Sequence, residues 1–176
     1  MENLLYWIGL VAVAVNALTG VLDAGRHRMD LVGAVMVGSA TALGGGTVRD
    51  VLLDRTVFWI ADQTYLLVSL ATALAVFFAV RGLKLPQRLF LIPDAFGLAL
   101  FTIAGTQIAL QCHPPWLFAI LLGVITGVFG GVLRDVLCNE VPLVFVRGEL
   151  YASAAWAGAL ALIGLQELGV SPVVAA

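Results

Sequence analysis

The sequence contains one element twice: a cluster of glycines followed by an Arg-Asp pair, within a long run of apolar residues. The first copy spans Gly44–Leu52 and the second spans Gly130–Leu137, and equivalent positions lie 85 residues apart. At this offset, eleven of the thirty-three positions from Gly20 to Leu52 are identical in the two copies. Matches outside the two segments pair Gly20 with Gly105, Ala24 with Ala109, Ala34 with Ala119, Gly38 with Gly123 and Thr41 with Thr126. The chain must therefore fold into two related halves.

Composition decides the solvent in which these halves fold. Of the 176 residues, 61% are hydrophobic and 11% are charged, and the mean hydropathy is +1.05. Soluble domains carry about 25% charged residues, so we expect this chain to lie in a bilayer. A net charge of −2 with scattered basic residues does not indicate nucleic-acid binding. The acidic N-terminus, with no small-residue cleavage site after it, indicates a retained first helix and not a signal peptide.

Six segments are long and apolar enough to span a bilayer, which takes about 17–25 residues each. They are residues 4–22, 31–53, 64–80, 89–110, 116–137 and 150–168. The predicted fold is an all-α membrane protein with one three-helix unit at residues 1–84 and a second at residues 85–168. Residues 169–176 are too few to span, and we expect them to be either a tail or the start of a seventh helix that the chain leaves incomplete.

The distribution of basic residues predicts the topology. Six of them follow the first, third and fifth helices: Arg26, Arg28, Arg81, Lys84, Arg88 and Arg147. Only Arg55 falls on the other side, so the positive-inside rule places the N-terminus outside. Because each unit has an odd number of helices, the second unit is inverted, with a pseudo-twofold axis in the membrane plane. Arg49-Asp50 is then expected near the outer face and Arg134-Asp135 near the inner face.

Two interpretations apply to the glycines of the two copies, Gly44, Gly45, Gly46, Gly130 and Gly131. Without side chains, they can let the helix kink or unwind and expose carbonyls that replace the hydration shell of a cation. Such backbone survives at membrane depth only where it is buried in protein or lines a cavity. Alternatively, glycines permit close helix packing, for which Gly123 and Gly127 have the small-xxx-small spacing. Equivalent clusters in an inverted repeat, each followed by Arg-Asp, favour a pathway along the second and fifth helices.

The Arg-Asp pairs also allow two interpretations. A charge at a helix centre costs about 2.5–3.5 kcal/mol on insertion scales, so it usually faces a partner or water. Neighbouring helical residues point about 100° apart, so each charge can pair with another helix instead of its neighbour. Arg49-Asp50 and Arg134-Asp135 are therefore either charged gates at the two mouths of a pathway or ion pairs near the interface.

The remaining polar residues of the apolar segments have simpler interpretations. Thr41 and Thr126 lie one turn before a glycine cluster, where they either bond carbonyls one turn earlier or face the pathway. Asp94 follows a proline at a helix start, where a carboxylate caps free amides and complements the helix dipole. Asp23 and Asp30 flank a basic loop, and we predict them to be solvated interface charges.

No group of residues indicates catalysis or a resident metal. His27 and His113 lie in loops on opposite sides, and no histidine, cysteine and acid have metal-ligand spacing. No nucleophile accompanies a base. Cys112 and Cys138 are expected at opposite faces, which makes a disulfide improbable. We therefore expect no enzymatic activity, no cofactor and no metal site.

Several motifs together resemble known membrane families. They are the paired glycine–Arg-Asp segments, DAFGLALFT at residues 94–102 and RGELYA at residues 147–152. The chain resembles a widespread family of bacterial inner-membrane proteins built on a repeated module called the glycine transporter domain. It is more distantly similar to the TRIC channels, the trimeric intracellular cation channels. The resemblance covers residues 5–165.

This resemblance implies a homotrimer in a bacterial inner membrane, in which each protomer has seven helices and its own pore. The pore would pass monovalent cations, chiefly potassium, beside residues 44–50 and 130–135. Two features depart from the channel family. The seventh helix is missing or cut short, and the basic residue beside each glycine cluster is arginine, so lysine-dependent gating is not implied.

Three functions therefore compete. The glycine clusters, with Asp50 and Asp135 near the mouths, favour a passive cation channel, although Arg49 and Arg134 would raise a barrier to cations. A transporter of glycine or another small amino acid would hold the substrate carboxylate at the amides of a broken helix. No separate coupling-ion site is visible for it. A structural scaffold, in which the glycines serve only packing, would transport nothing.

Overall fold

A computed structural model of the chain describes residues 2–83, 86, 89–147 and 150–171. Within these residues the chain forms seven α-helices and a short 3-10 turn, and it contains no strand. The helices are α1 (Glu2–Arg26), α2 (Leu31–Leu52), α3 (Phe58–Ala61), α4 (Gln63–Val80), α5 (Leu91–Gln111), α6 (Trp116–Leu137) and α7 (Tyr151–Glu167), with the 3-10 turn at Leu143–Phe145. Helices α1, α2, α5 and α6 pack together in the centre, and α4 and α7 lie at the periphery.

The six predicted segments correspond to α1, α2, α4, α5, α6 and α7, and the all-helical membrane fold is confirmed. Five of these helices are long and apolar enough to cross a membrane. The sixth, α7, has 17 residues and lies at the short end of the range of about 17–25 that a span requires. Helix α3 was not predicted, because four residues are too few to show a helical period. The predicted boundary at residues 84 and 85, and most of the tail at 169–176, lie outside the described residues.

The two halves repeat each other in backbone detail at the 85-residue offset. Helices α1 and α5 end at equivalent residues, and α2 and α6 begin and end at equivalent residues. The left-handed backbone residues also coincide in pairs, Arg28 with His113 and Asp54 with Asn139, each with φ between 52° and 57°. These residues follow the ends of α1, α5, α2 and α6, so the duplication preserves the turn geometry although the residue types differ.

The second unit is inverted, as the contact between α2 and α6 demonstrates. Gly45 faces the backbone of Thr126, and Gly130 faces the backbone of Thr41. A step of four residues forward along α2 is therefore a step of four residues back along α6, so the two helices are antiparallel. Because exchanging the two copies maps each contact onto the other, a pseudo-twofold axis passes through this crossing, perpendicular to the helices.

Two further contacts show which helix ends share a face of the molecule. Arg26 at the end of α1 lies 3.5 Å from Glu140 after α6, and Arg55 after α2 donates to the Cys112 sulfur after α5 at 3.9 Å. The ends of α1 and α6 therefore lie on one face, and the ends of α2 and α5 on the other. This agrees with the predicted topology, in which successive loops lie on alternate faces. Which of the two faces is cytoplasmic stays a prediction.

Candidate functional site: the crossing of α2 and α6 and its buried charges

The expected helix break at the glycine clusters is wrong. Residues 31–52 and 116–137 each form one uninterrupted α-helix through their glycines. The glycines instead allow a close approach of two backbones. A methyl carbon built on Gly45 would lie 2.1 Å from the Thr126 carbonyl oxygen, and one on Gly130 would lie 2.2 Å from the Thr41 carbonyl oxygen. The alternative interpretation, close packing, therefore describes the local geometry.

The other predicted glycines make room for side chains. A methyl carbon on Gly44 would overlap Leu133 of α6, and one on Gly46 would lie 2.5 Å from the Phe58 ring. On the opposite end, Gly131 accommodates the Tyr151 hydroxyl, which would lie 2.8 Å from such a carbon. The structure thus brings all five glycines to the contacts of α2 and α6 with their neighbours.

Thr41 and Thr126 sit at the centre of the crossing and are fully buried. Each hydroxyl donates to the carbonyl one turn earlier, Thr41 to Val37 at 2.7 Å and Thr126 to Leu122 at 2.6 Å. One of the two interpretations of these threonines, a bond within the helix, is confirmed. Because a hydroxyl oxygen keeps acceptor capacity after donating, each side chain can still accept a hydrogen bond.

At the C-terminal end of α2, Arg49 pairs with its own neighbour Asp50. Its Nε and Nη2 atoms lie 2.9 Å and 2.8 Å from Asp50 Oδ1, and both residues are buried. The other carboxylate oxygen accepts from the Phe58 amide at 2.9 Å, which ties the start of α3 to this pair. The guanidinium also lies over the Phe58 ring, 5.7 Å from its centroid. Arg49 and Asp50 therefore neutralise each other where they are cut off from water.

At the C-terminal end of α6, Arg134 pairs with Asp135 in the same geometry. Its Nε and Nη2 atoms lie 2.9 Å and 2.8 Å from Asp135 Oδ1, and Asp135 Oδ2 accepts from the Leu143 amide at 2.8 Å. Here the arginine has two further acidic partners. Its Nη1 donates to Asp94 of α5, and its Nε lies 3.6 Å from Asp23 of α1. Arg134 is fully buried, so this cluster joins the ends of three central helices.

The two ends of the crossing differ because only the end of α6 gathers additional acids, Asp23 from the first copy and Asp94 from the second. The positions equivalent to Asp94 and Asp23, displaced by 85 residues, are Gly9 and Ile108. These two residues and Arg49 line a cavity of about 40 Å³, in the position that corresponds to the two carboxylates at the end of α6. The twofold symmetry of the backbone is therefore broken by side-chain chemistry.

The predictions for Asp23 and Asp94 were wrong in part. Asp23 is fully buried and pairs with Arg26 at 2.5 Å, so it is not a solvated interface charge. Asp94 does lie in the first turn of α5, as predicted, but its carboxylate binds Arg134. The burial of Asp23 and Asp94 could have been inferred from the sequence, because an acid within an apolar segment requires a partner. Asp30 caps α2 by accepting from the Gly33 amide at 2.8 Å, and it is exposed.

The fold also assembles a group that residue spacing did not indicate. One potential ligand atom from each of Asp23, His27 and Cys138 lies within 4.8 Å of the other two. The sequence separates Cys138 from the other two by more than a hundred residues, and the packing of α1 against α6 brings it to them. Burial, followed by the neighbouring Asp23 charge, raises the pKa of the Cys138 thiol to about 12.

Comparisons with known proteins agree with the duplicated architecture. A family model described as "Glycine transporter" matches the chain twice, at residues 6–81 and 91–167. The UPF0126 inner membrane protein YadS of Escherichia coli strain K12 is 43% identical over 159 residues, which cover 89% of this chain and 76% of YadS. A UPF0126 membrane protein of Vibrio cholerae is 45% identical over 163 residues, which cover 90% of this chain and 66% of that protein.

Two solved structures share the whole architecture. The chain is similar to the TRIC trimeric intracellular cation channel orthologue from Rhodobacter sphaeroides, with a TM-score of 0.92, 38% identity, and coverage of 98% of this chain and 89% of that chain. It is also similar to a chain from a structural study of conductance through TRIC cation channels, with a TM-score of 0.83, 32% identity, and coverage of 96% and 83%. The resemblance predicted from the motifs is confirmed. The chain belongs to the glycine transporter family of multi-pass bacterial membrane proteins, and it has the fold of the solved TRIC channels.

Proposed function

We propose that this chain is a cation channel that passes monovalent cations, chiefly potassium, along the contact of α2 and α6 within each protomer. The observation that carries the proposal is the likeness, over nearly the full chain at 38% and 32% identity, to two TRIC structures described as cation channels. The reciprocal crossing at Gly45 and Gly130 supports the choice of α2 and α6, because both copies contribute the same contact there.

In this conformation the crossing is closed. The Thr126 carbonyl lies against Gly45 and the Thr41 carbonyl lies against Gly130, with no room for a single methyl group. Conduction therefore requires α2 and α6 to separate. Separation would expose two carbonyl oxygens and two threonine hydroxyls, and each oxygen keeps acceptor capacity beside its bond within the helix. Such oxygens are the kind of ligands that replace the hydration shell of a cation.

The arginines at the two ends are compatible with a cation pathway because each is neutralised. Arg49 is paired with one carboxylate and Arg134 with three, so neither presents an uncompensated positive charge to an ion. Removal of a buried ion pair's partner costs about 3–5 kcal/mol. The Arg134 pairs should therefore hold the ends of α1, α5 and α6 together, and Asp50, paired with Arg49, should hold the start of α3 to the end of α2. We propose that they act as the two gates, with α3 and the 3-10 turn tied to them through Asp50 and Asp135.

Transport of glycine or another small amino acid is the second candidate, and the description of the family favours it. A transporter of this kind holds the substrate carboxylate at the amides of an interrupted helix. Helices α2 and α6 are uninterrupted at their glycines, so such amides are hydrogen-bonded within the helix in this conformation. For this reason we place the channel first.

Assembly and orientation complete the proposal. The matched Rhodobacter sphaeroides protein is described as trimeric, and we propose a homotrimer in which each protomer has its own pathway. We further propose that the N-terminus faces outward. Arg26, Arg28, Arg81 and Arg147 then lie at the cytoplasmic face, as the positive-inside rule requires.

One experiment separates the candidates. Purified protein in liposomes is assayed side by side for voltage-driven potassium flux and for uptake of radiolabelled glycine. Potassium flux without saturable glycine uptake is expected, and saturable glycine counterflow without conductance would contradict the channel. Absence of both would favour a scaffold.

Gly45→Ala tests the location of the pathway, because the added methyl group acts as a wedge between α2 and α6. We expect a folded Gly45→Ala protein to pass more potassium than the parent protein. Gly158→Ala is the matched control, since a methyl carbon there meets nothing within 4 Å and should leave the flux unchanged. Equal flux from both variants would reject the α2–α6 contact as the gate.

A further inference from the structure

We propose that Asp23, His27 and Cys138 form a binding site for a zinc-class divalent metal where α1 and α6 end. Their ligand atoms, an oxygen, a nitrogen and a sulfur, all lie within 4.8 Å of one another. This mixed set suits Zn²⁺, which accepts carboxylate, imidazole and thiolate ligands in a tetrahedral arrangement. Three protein ligands leave a fourth position for water, and this binding does not depend on the proposed conduction.

Asp23 provides the strongest indication of a missing partner. Its side chain is fully buried and Oδ1 is bound by Arg26, whereas Oδ2 has no donor within hydrogen-bond geometry among the described residues, and the Cys138 thiol is the neighbour that interacts with this carboxylate. Arg134 Nε lies 3.6 Å from Oδ2, which is beyond a hydrogen bond. A buried carboxylate oxygen without a donor is costly, and a metal ion would satisfy it.

The surrounding charge tolerates a divalent cation. Five side chains besides the three proposed ligands stand near the site: Arg26, Arg134, Asp94, Asp135 and Glu140. With Asp23 ionised, four carboxylates face two guanidinium groups, so the cluster has an excess of about two negative charges. A dication bound to one thiolate therefore reduces the imbalance.

His27 is placed by Glu140 in the manner of a metal-binding histidine. Its Nε2 lies 3.1 Å from Glu140 Oε1, and Glu140 itself stands outside the group of three. A carboxylate that accepts from one ring nitrogen orients the imidazole and makes it a better ligand. His27 lies in the turn after α1 and is exposed, so it can move the short distance needed to reach bond lengths of about 2.0–2.3 Å.

Cys138 must lose its proton to bind. The thiol is protonated near neutral pH because burial raises its pKa to about 12. Binding therefore exchanges an S–H bond for a metal–sulfur bond and releases one proton to the solvent, with no change in oxidation state. The release makes the affinity rise with pH.

The test uses the purified full chain and Co²⁺, whose charge-transfer absorption reports a bond to a thiolate. We expect one Co²⁺ per chain with this absorption, and its displacement by Zn²⁺. Cys138→Ser should abolish the absorption, whereas Cys112→Ser, which removes the other cysteine at the opposite face, should retain it. Absorption that persists in Cys138→Ser, or none in the parent protein, would overturn the proposal.

Three more variants test the histidine and its positioning residue. His27→Gln should weaken Zn²⁺ binding strongly, and the matched His113→Gln should leave it unchanged. Glu140→Gln should weaken binding by about 10–100-fold, the usual effect of losing a carboxylate that orients a ligand. Equal affinities in His27→Gln and His113→Gln would refute the role of His27. Circular dichroism of every variant checks that the helices are intact.

Discussion

The α2–α6 crossing predicts an unusual response to adding one methyl group on each side of the pseudo-twofold axis. In Gly45→Ala, the new carbon would lie 2.1 Å from the Thr126 carbonyl oxygen and 3.0 Å from the carbon of that carbonyl. An ordinary contact begins at 3.4 Å, so the shortfall to the oxygen is 3.4 − 2.1 = 1.3 Å. Both partners are helix backbone and cannot rotate away. The two helices must therefore separate.

The expected change in the free energy of unfolding of Gly45→Ala follows from two opposing effects. Alanine is favoured over glycine within a helix by about 0.5–1 kcal/mol. Overpacking costs about 1–3 kcal/mol and occasionally more, and rigid backbone on both sides puts this site at the upper end. We therefore expect Gly45→Ala to lower the free energy of unfolding by about 2 kcal/mol. Gly130→Ala, whose carbon would lie 2.2 Å from the Thr41 carbonyl oxygen, should do the same.

The double variant distinguishes this mechanism from two local defects. A single separation of α2 from α6 relieves both overlaps, so the second methyl group adds little once the first is present. We expect the double variant to lose about 2–3 kcal/mol and not the sum of about 4, which is an interaction energy of about 1–2 kcal/mol between contacting sites.

The assay is reversible unfolding in mixed detergent micelles, followed by the fluorescence of the four tryptophans. Gly158→Ala is the matched control in α7, where a methyl carbon meets nothing within 4 Å. It should raise the free energy of unfolding by about 0.5–1 kcal/mol. Two results would refute a single separation of α2 from α6 as the cause: stability losses of Gly45→Ala and Gly130→Ala that are strictly additive in the double variant, or a single variant that is as stable as Gly158→Ala.

Three further predictions concern the charges and the thiols. Arg134→Met leaves Asp94 and Asp135 without an arginine, while Asp23 keeps Arg26. It should destabilise the protein by about 3–5 kcal/mol in thermal unfolding, more than Arg49→Met, which leaves one carboxylate unpaired. A membrane-impermeant maleimide applied from outside should label the exposed Cys112. It should not label Cys138, which is buried and whose pKa is raised to about 12. Labelling of Cys112 only after permeabilisation would reverse the proposed orientation. Asp62 is the N-cap of α4, and hydrogen bonds from the first turn of that helix lower its pKa. The ionised carboxylate therefore stabilises the folded protein above its ordinary pKa of 3.8, and this stabilisation is lost as the pH falls through the lower pKa of the folded state. Asp62→Asn should remove the contribution of Asp62 to acid destabilisation in unfolding measurements.

Much of the fold could be predicted because duplication and hydropathy each constrain it. The 85-residue offset, the odd number of helices per unit and the basic loops together predicted the inverted repeat. The offset also matched Thr41 with Thr126 and Gly45 with Gly130 as equivalent positions. What the sequence could not show was that these four residues touch each other, because contact depends on which faces of the helices meet.

The interpretation of the glycines failed for a physical reason. A glycine permits both an interrupted helix and a close approach, and the choice depends on the partner. At Gly45 the partner is a carbonyl of a neighbouring helix, which fills the space and leaves the helix hydrogen bonds intact. The same limitation hid the partners of Asp23 and Asp94. Helices that are apolar on every side do not reveal which neighbour an acid faces.

The unequal ends of the crossing have a consequence for current. Identical inverted halves would offer ions the same electric field from either side. Here the end of α6 gathers the carboxylates of Asp23, Asp94, Asp135 and Glu140 against two guanidinium groups, whereas at the end of α2 Arg49 faces Asp50 alone. Excess negative charge at one mouth raises the local concentration of cations there. A pathway between these ends should therefore rectify, carrying more cation current from the end of α6 than from the end of α2 at equal and opposite voltages.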